Sequence, residues 1–93
     1  MADNPVYLSV SDLNFYISQK FKNDPYLHKV FLQGELSNFR FRMHSHQYFS
    51  LKDDKSKINV VMFRSFFEKL KFKPEEGMKV YVSGYVDVYG CLL

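Results

Sequence analysis

Aromatic, basic and histidine side chains are mixed within one stretch of the chain, Asn38–Asp54, whose sequence is NFRFRMHSHQYFSLKDD. Two interpretations fit this composition. Aromatic rings stack on flat groups while Arg and Lys neutralise negative charge, so together they would bind a ligand that is both flat and anionic. A half-exposed β-hairpin whose outer face is kept soluble by charged side chains would have a similar composition. The rest of the chain has to separate the two.

Side-chain sets that would support catalysis or metal binding are poorly represented. His44 and His46 alternate as a zinc pair would, but no third and fourth ligand follows at a suitable spacing, and the single cysteine, Cys91, does not complete a site. Asp53 and Asp54 are adjacent in a lysine-rich segment, which is more typical of a turn than of a magnesium site. No Ser/His/Asp set or glycine-rich phosphate loop is present. We therefore predict no catalytic residue, no metal and no cofactor in this chain.

Positive charge is concentrated in the middle of the sequence. Residues 1–27 carry a net charge of −1 and residues 74–93 carry −2, whereas residues 28–73 contain ten Lys/Arg against four Asp/Glu, a net of +6. Such a local excess is the electrostatic footprint of a surface that binds polyanions. Lysine-rich surfaces also serve solubility, so charge alone does not decide between the two interpretations.

Length and composition indicate one small folded domain. The chain has 93 residues, of which 46% are hydrophobic, and this favours a single modest core over a disordered chain. The sequence contains no apolar run near the roughly 18 residues of a membrane helix and no basic-then-apolar signal region. One cysteine fits a reducing compartment, where Cys91 would be a small apolar filler. We predict a cytoplasmic protein.

A helix precedes the positively charged region. Its apolar residues recur at three- and four-residue spacing, which predicts an amphipathic helix over about residues 9–23. Ser9 or Ser11 can cap its start, and Asn23–Pro25 ends it, because the residue before a proline avoids the α region. The apolar residues are Val10, Leu13, Ile17 and Phe21.

Alternation with a period of two follows the helix. It runs over Leu27–Phe41 and predicts one long strand of about 14 residues, with a bulge or sharp bend at Gly34. A turn near Met43–Ser45 leads to a second strand, Gln47–Lys52. Alternate side chains of that strand form an outer set and a core set: Tyr48, Ser50 and Lys52 outside, and Gln47, Phe49 and Leu51 inside.

The second half of the chain continues the strand pattern. Asp53–Ser56 predicts a hairpin turn. The third strand, Ile58–Arg64, is apolar on both faces, so the sequence does not decide which face points inward. The segment Ser65–Glu68 has the spacing of a capping box and predicts a short helix that ends near Lys71. Lys79–Tyr89 alternates again and predicts a long fourth strand.

This order of elements is that of an OB fold, a five-stranded Greek-key barrel. We predict a mainly β single domain over residues 1–93, with an N-terminal helix and a short helix between strands three and four. Four strands are visible before the sequence ends at Gly90–Leu93, so the barrel is expected to be incomplete, with its fifth strand missing. An open edge on the fourth strand predicts either further chain that completes the barrel or edge-strand pairing with a second copy.

A family resemblance covers about residues 6–89. It is carried by YLSVSDLNFYI, VFLQGELSNFRF, HQYFSLKDDKSKINVVMFR and EEGMKVYVSGYVDVY. Together these segments resemble the N-terminal OB-fold domain of exodeoxyribonuclease VII large subunits. The most specific parts are Gly34–Asn38, His46–Asp53 and Val61–Arg64. Ser45 departs from the pattern, because the family usually has glycine there.

The resemblance implies a function. Members of that family are hydrolases that degrade single-stranded DNA to short oligonucleotides, and this chain looks like their DNA-binding module, without the catalytic domain that follows it. The implied partners are single-stranded DNA, that catalytic domain and the exodeoxyribonuclease VII small subunit. Two other classes stay open, a protein-interaction OB domain and an RNA-binding module of the anticodon type.

The barrel is also similar to the anticodon-binding domains of aspartyl- and asparaginyl-type tRNA synthetases, where an aromatic residue stacks on a base and a glutamine of the next strand recognises a base edge. The matching positions here are Tyr48 and Asn59. Arginines and Lys52 would contact phosphates. As alternatives, Tyr48 would be a half-buried cross-strand aromatic, Phe63 would pack under the short helix and His46 would support the turn. The predicted nucleic-acid-binding residues are Tyr48, Lys52, Asn59, Arg40, Arg42, Arg64, Phe63, Ser50 and His46.

Overall fold

A computed structural model describes residues 4–88, so Tyr89 and Cys91 lie outside the described residues. The described part divides into two compact units, residues 4–31 with 83–88, and residues 32–82. The elements in chain order are α1 (Val10–Lys22), α2 (Pro25–His28), β1 (Val30–Ser37), β2 (Gln47–Lys52), β3 (Lys57–Met62), α3 (Arg64–Phe67) and β4 (Lys79–Gly84).

The first unit contains both N-terminal helices. The side chain of Ser9 caps α1 by accepting a hydrogen bond from the backbone N–H of Asp12 at 3.0 Å. The predicted helix is therefore confirmed. The short helix α2 was not predicted, although its signals are present: Asp24 accepts from the N–H of Tyr26 at 2.9 Å, and Pro25 occupies the first helical position.

A buried serine links α1 to the segment after β4. The hydroxyl of Ser18 donates to Oδ1 of Asp87 at 2.6 Å, and Ser18 is 1% exposed. This hydrogen bond stabilises the carboxylate and lowers the pKa of Asp87 from its ordinary value of 3.8. The backbone N–H of Val86 also donates to the carbonyl of Leu27 at 3.1 Å.

The four strands form an antiparallel sheet in the order β3-β2-β1-β4, most of which belongs to the second unit. Its register places Leu36 opposite Leu51 and Leu51 opposite Ile58, so these three side chains share the inner face. Leu36 and Leu51 are each 3% exposed and form the centre of the core. The mainly β architecture and the positions of the helices agree with the predicted incomplete OB fold.

The prediction of one strand from Leu27 to Phe41 is wrong at both ends. The helix α2 occupies the beginning, and Asn38 adopts a left-handed backbone with φ of 59°, which ends the ladder after Ser37. Glycine is favoured at position 34 of β1, because a Cβ atom there would lie 3.2 Å from the backbone oxygen of Lys52, closer than an ordinary van der Waals contact. A side chain at this position would require the two strands to shift slightly apart.

Two predictions about the later elements are also wrong. The helix α3 begins at Arg64 after the cap residue Phe63, whose own side chain makes no capping hydrogen bond. Glu68 pairs with Arg64 instead of closing a capping box with Ser65. The strand β4 ends at Gly84, short of the predicted Tyr89.

Candidate nucleic-acid interface

Cross-strand pairing between β2 and β3 builds the predicted outer face. Since side chains alternate along a strand, the register that pairs Tyr48 with Val61 and Ser50 with Asn59 also places Lys52 on that face. The prediction that Tyr48 and Lys52 point outward and Leu51 points inward is confirmed, because the first two side chains are exposed and Leu51 belongs to the core. A row of polar and aromatic groups therefore follows β2.

Tyr48 and Arg42 form the centre of this face. The Tyr48 side chain is 38% exposed, and the guanidinium carbon of Arg42 lies 5.3 Å from the centroid of its ring. This is a cation–π distance, at which the ring quadrupole attracts the cation. The pair combines an aromatic ring with a positive charge that lies over one of its faces.

Gln47 holds the loop that carries Arg42. Its side chain is 1% exposed, its Oε1 accepts from the backbone N–H of Arg42 at 3.0 Å, and its Nε2 donates to the carbonyls of Arg42 at 2.6 Å and Ser45 at 3.1 Å. The alternation of β2 correctly predicted that Gln47 points inward. It did not predict these hydrogen bonds, because their partners are backbone groups of a loop.

The beginning of the same loop is held by Glu76. The backbone N–H groups of Asn38 and Phe39 donate to its two carboxylate oxygens at 3.1 and 3.0 Å. Arg40 follows as an exposed loop residue. The loop is thus anchored near both ends, which limits the conformational entropy it would lose on binding a ligand.

The departure from the family pattern at Ser45 has a local explanation. The loop turns through His44, whose φ is 56°, and Ser45 is not among the residues with positive φ. Glycine is therefore not required at Ser45, because the left-handed conformation falls one residue earlier. The predicted turn at Met43–Ser45 is confirmed.

Ser50 and Asn59 lie beside each other on the outer face. The Ser50 hydroxyl donates to Oδ1 of Asn59 at 3.2 Å. Ser50 is only 4% exposed, so the expectation of an accessible Ser50 is wrong: its hydroxyl supports Asn59, which is exposed. With its oxygen engaged by Ser50, the Asn59 amide has its NH₂ group available to donate to a ligand.

His46, Phe63 and Arg64 form a small cluster at the end of this row. The rings of His46 and Phe63 meet edge to face with centroids 5.3 Å apart. The Nδ1 of His46 accepts from the backbone N–H of Arg64 at 2.9 Å, which fixes the ring proton on Nε2. His46 therefore does support the start of α3, while its Nε2–H group is a donor.

The cations at the two ends of the face have carboxylate partners. Lys52 Nζ lies 3.5 Å from Oε2 of Glu35, and Arg64 Nε lies 2.8 Å from Oε2 of Glu68. Beyond Lys52, the carboxylate of Asp53 accepts from the N–H groups of the two turn residues at 2.8 and 2.9 Å, and these hydrogen bonds lower its pKa. The acidic residue thus has the turn role that the sequence predicted.

Within residues 4–88, no group of three or more His, Cys, Asp or Glu side chains is arranged to hold a metal ion. The helices of that part of the chain are also too short or too polar to cross a bilayer.

Comparison with protein families adds an independent observation. A family model described as "OB-fold nucleic acid binding domain" matches residues 8–91, nearly the whole chain. The chain belongs to this family. The predicted OB fold is thereby confirmed, and Tyr48, Asn59 and Lys52 all lie within the residues that this family model matches.

Individual relatives of this OB-fold domain carry one name, exodeoxyribonuclease 7 large subunit. The protein of Lactobacillus johnsonii is 96% identical over 90 residues, that of Lactobacillus acidophilus is 82% identical over 90 residues, and that of Enterococcus faecalis is 59% identical over 83 residues. These alignments cover 97%, 97% and 89% of the chain but 20%, 20% and 18% of the relatives. The predicted resemblance is confirmed, and the chain spans about a fifth of the length of the curated relatives it matches.

Proposed function

We propose that this OB-fold domain binds single-stranded DNA on the outer face of β2 and β3. The observation that carries the proposal is the exposed Tyr48 ring with the Arg42 guanidinium 5.3 Å from its centroid. The name of the relatives, exodeoxyribonuclease, favours DNA over RNA as the ligand. RNA and protein partners are the alternatives that the experiment below tests.

The chemistry of this face suits a flexible strand more than a base-paired duplex. A base stacked on Tyr48 would contribute roughly 1–3 kcal/mol without requiring a particular sequence. Arg42, Lys52 and Arg40 would neutralise phosphates, and each phosphate contact would lower the logarithm of the binding constant by about 0.7 per tenfold rise in salt. Asn59 would donate a hydrogen bond to a base edge.

In the longer relatives, we infer that this domain holds single-stranded DNA and presents it to a catalytic domain elsewhere in the chain. The words "large subunit" in the name of these relatives also imply a smaller subunit as a partner. Hydrolysis would then depend on residues beyond this chain, and the domain would contribute substrate binding. A cytoplasmic location is part of this proposal, because bacterial DNA is found there.

Fluorescence anisotropy of a labelled oligothymidylate at low and raised salt tests the proposal. We expect salt-dependent binding that weakens by about 5- to 150-fold in a Tyr48→Ala variant, from the stacking free energy above. Tyr81→Ala is the matched control, because Tyr81 is an exposed tyrosine (80%) on β4, outside the two strands that are proposed to bind DNA. Absence of salt-dependent binding would refute the proposal, and tight binding to oligouridylate alone would favour RNA.

The position of the site is tested separately from the ligand. A Tyr48→Ala, Lys52→Ala double variant that binds as tightly as the unchanged chain would show that DNA binds elsewhere. The thermal midpoint of each variant, measured by circular dichroism, shows whether the fold is retained.

A further inference from the structure

A groove of about 640 Å³ opens within the unit formed by residues 32–82. The loop between β1 and β2 forms one side, and α3 with the chain after it forms the other. Phe41 and Phe67 face each other across these segments with ring centroids 5.8 Å apart. Phe41 is 59% exposed, so a large part of an aromatic ring is open to solvent there.

Charge around the groove is mainly positive. Arg42, Arg64 and Lys73 line it, and its carboxylate, Glu68, is already paired with Arg64 at 2.8 Å. An aromatic wall surrounded by cations complements a flat ring that carries a phosphate, which describes a nucleotide. A purely apolar peptide side chain would use the wall but would make no use of the charges of Arg42 and Lys73.

Arg42 connects the groove to the Tyr48 face. It lines the groove, and its guanidinium lies 5.3 Å from the Tyr48 ring centroid. Gln47 holds the backbone of Arg42 through hydrogen bonds of 3.0 and 2.6 Å. The two aromatic surfaces are therefore joined by one cation whose backbone is fixed before any ligand binds.

We propose that the groove takes a second base of the same single strand. That base stacks on Phe41, and Arg42 contacts the phosphate backbone between it and the base on Tyr48. The proposal rests on the proposed function, because it extends the same bound strand from one aromatic surface to another. Neither Phe41 nor the groove was among the binding residues predicted from the sequence.

Substitutions at Phe41 separate stacking from apolar contact. Phe41→Ala is expected to weaken binding of an oligothymidylate by about 5- to 150-fold, the effect of one lost stacked base. Phe41→Leu keeps an apolar side chain but removes the ring, so it should weaken binding nearly as much. Phe41→Tyr keeps the ring and should restore the affinity. Phe66→Ala is the control, since Phe66 is 58% exposed on α3 and does not line the groove.

An abasic oligonucleotide of the same length distinguishes a stacking role from a structural one. If Phe41 stacks on a base, Phe41→Ala and the unchanged chain should bind the abasic strand equally. If Phe41 only positions the loop and Arg42, the loss should persist on the abasic strand, and the proposal is overturned.

Two further results would also overturn it while leaving the proposed function intact. One is full affinity in Phe41→Ala when Tyr48→Ala is weakened, and the other is full affinity in Phe41→Leu, which would indicate an apolar contact. Failure of the unchanged chain to bind any single strand would instead refute the proposed function itself.

Discussion

Replacing Gln47 by leucine removes the three hydrogen bonds that hold the loop carrying Arg42. A hydrogen bond contributes about 0.5–1.5 kcal/mol net, so the three together are worth about 1.5–4.5 kcal/mol. Arg42 is exposed, and water can replace part of what its backbone loses. We therefore expect Gln47→Leu to reduce the free energy of unfolding by about 2 kcal/mol, which corresponds to about 8–16 °C in the thermal midpoint of a domain of this size.

Gln47→Glu is the closest match in shape and adds a test by pH. An ionised carboxylate still accepts from the Arg42 N–H but cannot donate to the carbonyls of Arg42 and Ser45. Burial beside those two carbonyls raises the pKa of the introduced glutamate above its ordinary value of about 4.3. A raised pKa in the folded state means that the destabilisation caused by the glutamate is smallest below pH about 4.3 and grows as pH rises through the folded value.

Urea unfolding followed by far-UV circular dichroism measures both effects, since the chain has no tryptophan for fluorescence. The difference in stability between Gln47→Glu and the unchanged chain should grow from acid to neutral pH. If Gln47→Leu unfolds at the same urea concentration as the unchanged chain, or if the glutamate variant shows a constant difference at all pH values, the inference that Gln47 stabilises the loop is wrong.

Three other substitutions test separate contacts. Gly34→Ala should destabilise the sheet by about 1–3 kcal/mol in urea unfolding, because its Cβ would lie 3.2 Å from a backbone oxygen of β2. Gly84→Ala is the control and should change the stability little, since no atom lies within 4 Å of its Cβ, and equal effects of the two substitutions would contradict this reasoning. Ser18→Ala should raise the pKa of Asp87 toward 3.8 in an NMR carboxyl titration, and the stability that Asp87 contributes should then be lost at a higher pH as the pH falls through that pKa. An unchanged pKa would show that the hydrogen bond has no effect. Glu35→Gln removes the carboxylate that pairs with Lys52 and should tighten single-strand binding about 2- to 5-fold at low salt. The increase in affinity should vanish at high salt if it is electrostatic.

Features encoded by local side-chain chemistry could be predicted from the sequence. The inward and outward directions of the side chains of β2 followed from strict alternation. Tyr48 and Lys52 are exposed and Leu51 is buried, as the pattern predicted. The helix α1 followed from its spacing and from Ser9, which caps it through its own side chain. Each of these depends on residues a few positions apart.

The errors have the opposite origin. Alternation continues through Asn38, but two backbone N–H groups beginning there bind Glu76, 38 residues away in the sequence, and the strand ends. The predicted capping box at Ser65 does not form, because the side chain of Glu68 pairs with that of Arg64, and the backbone N–H of Arg64 donates to His46. Partners of this kind come from tertiary structure, so propensity and spacing do not predict them.

The cations of the proposed interface should not contribute equally to affinity. Lys52 and Arg64 each leave a carboxylate when they bind a phosphate, and both ion pairs are about half exposed, where such pairs are worth roughly 0–1 kcal/mol. The exchange of one exposed partner for another changes the affinity little. Within residues 4–88, no carboxylate lies within ion-pair distance of Arg42, whose guanidinium lies over the Tyr48 ring.

A phosphate that binds Arg42 therefore displaces no carboxylate, and a base beside it gains the aromatic surface of Tyr48. This difference predicts a division of roles along the face. Every cation contributes to the salt dependence, because each releases counterions when it meets a phosphate. Among the cations, the largest contribution to affinity should come from Arg42, whose backbone is held by a buried glutamine that carries no charge.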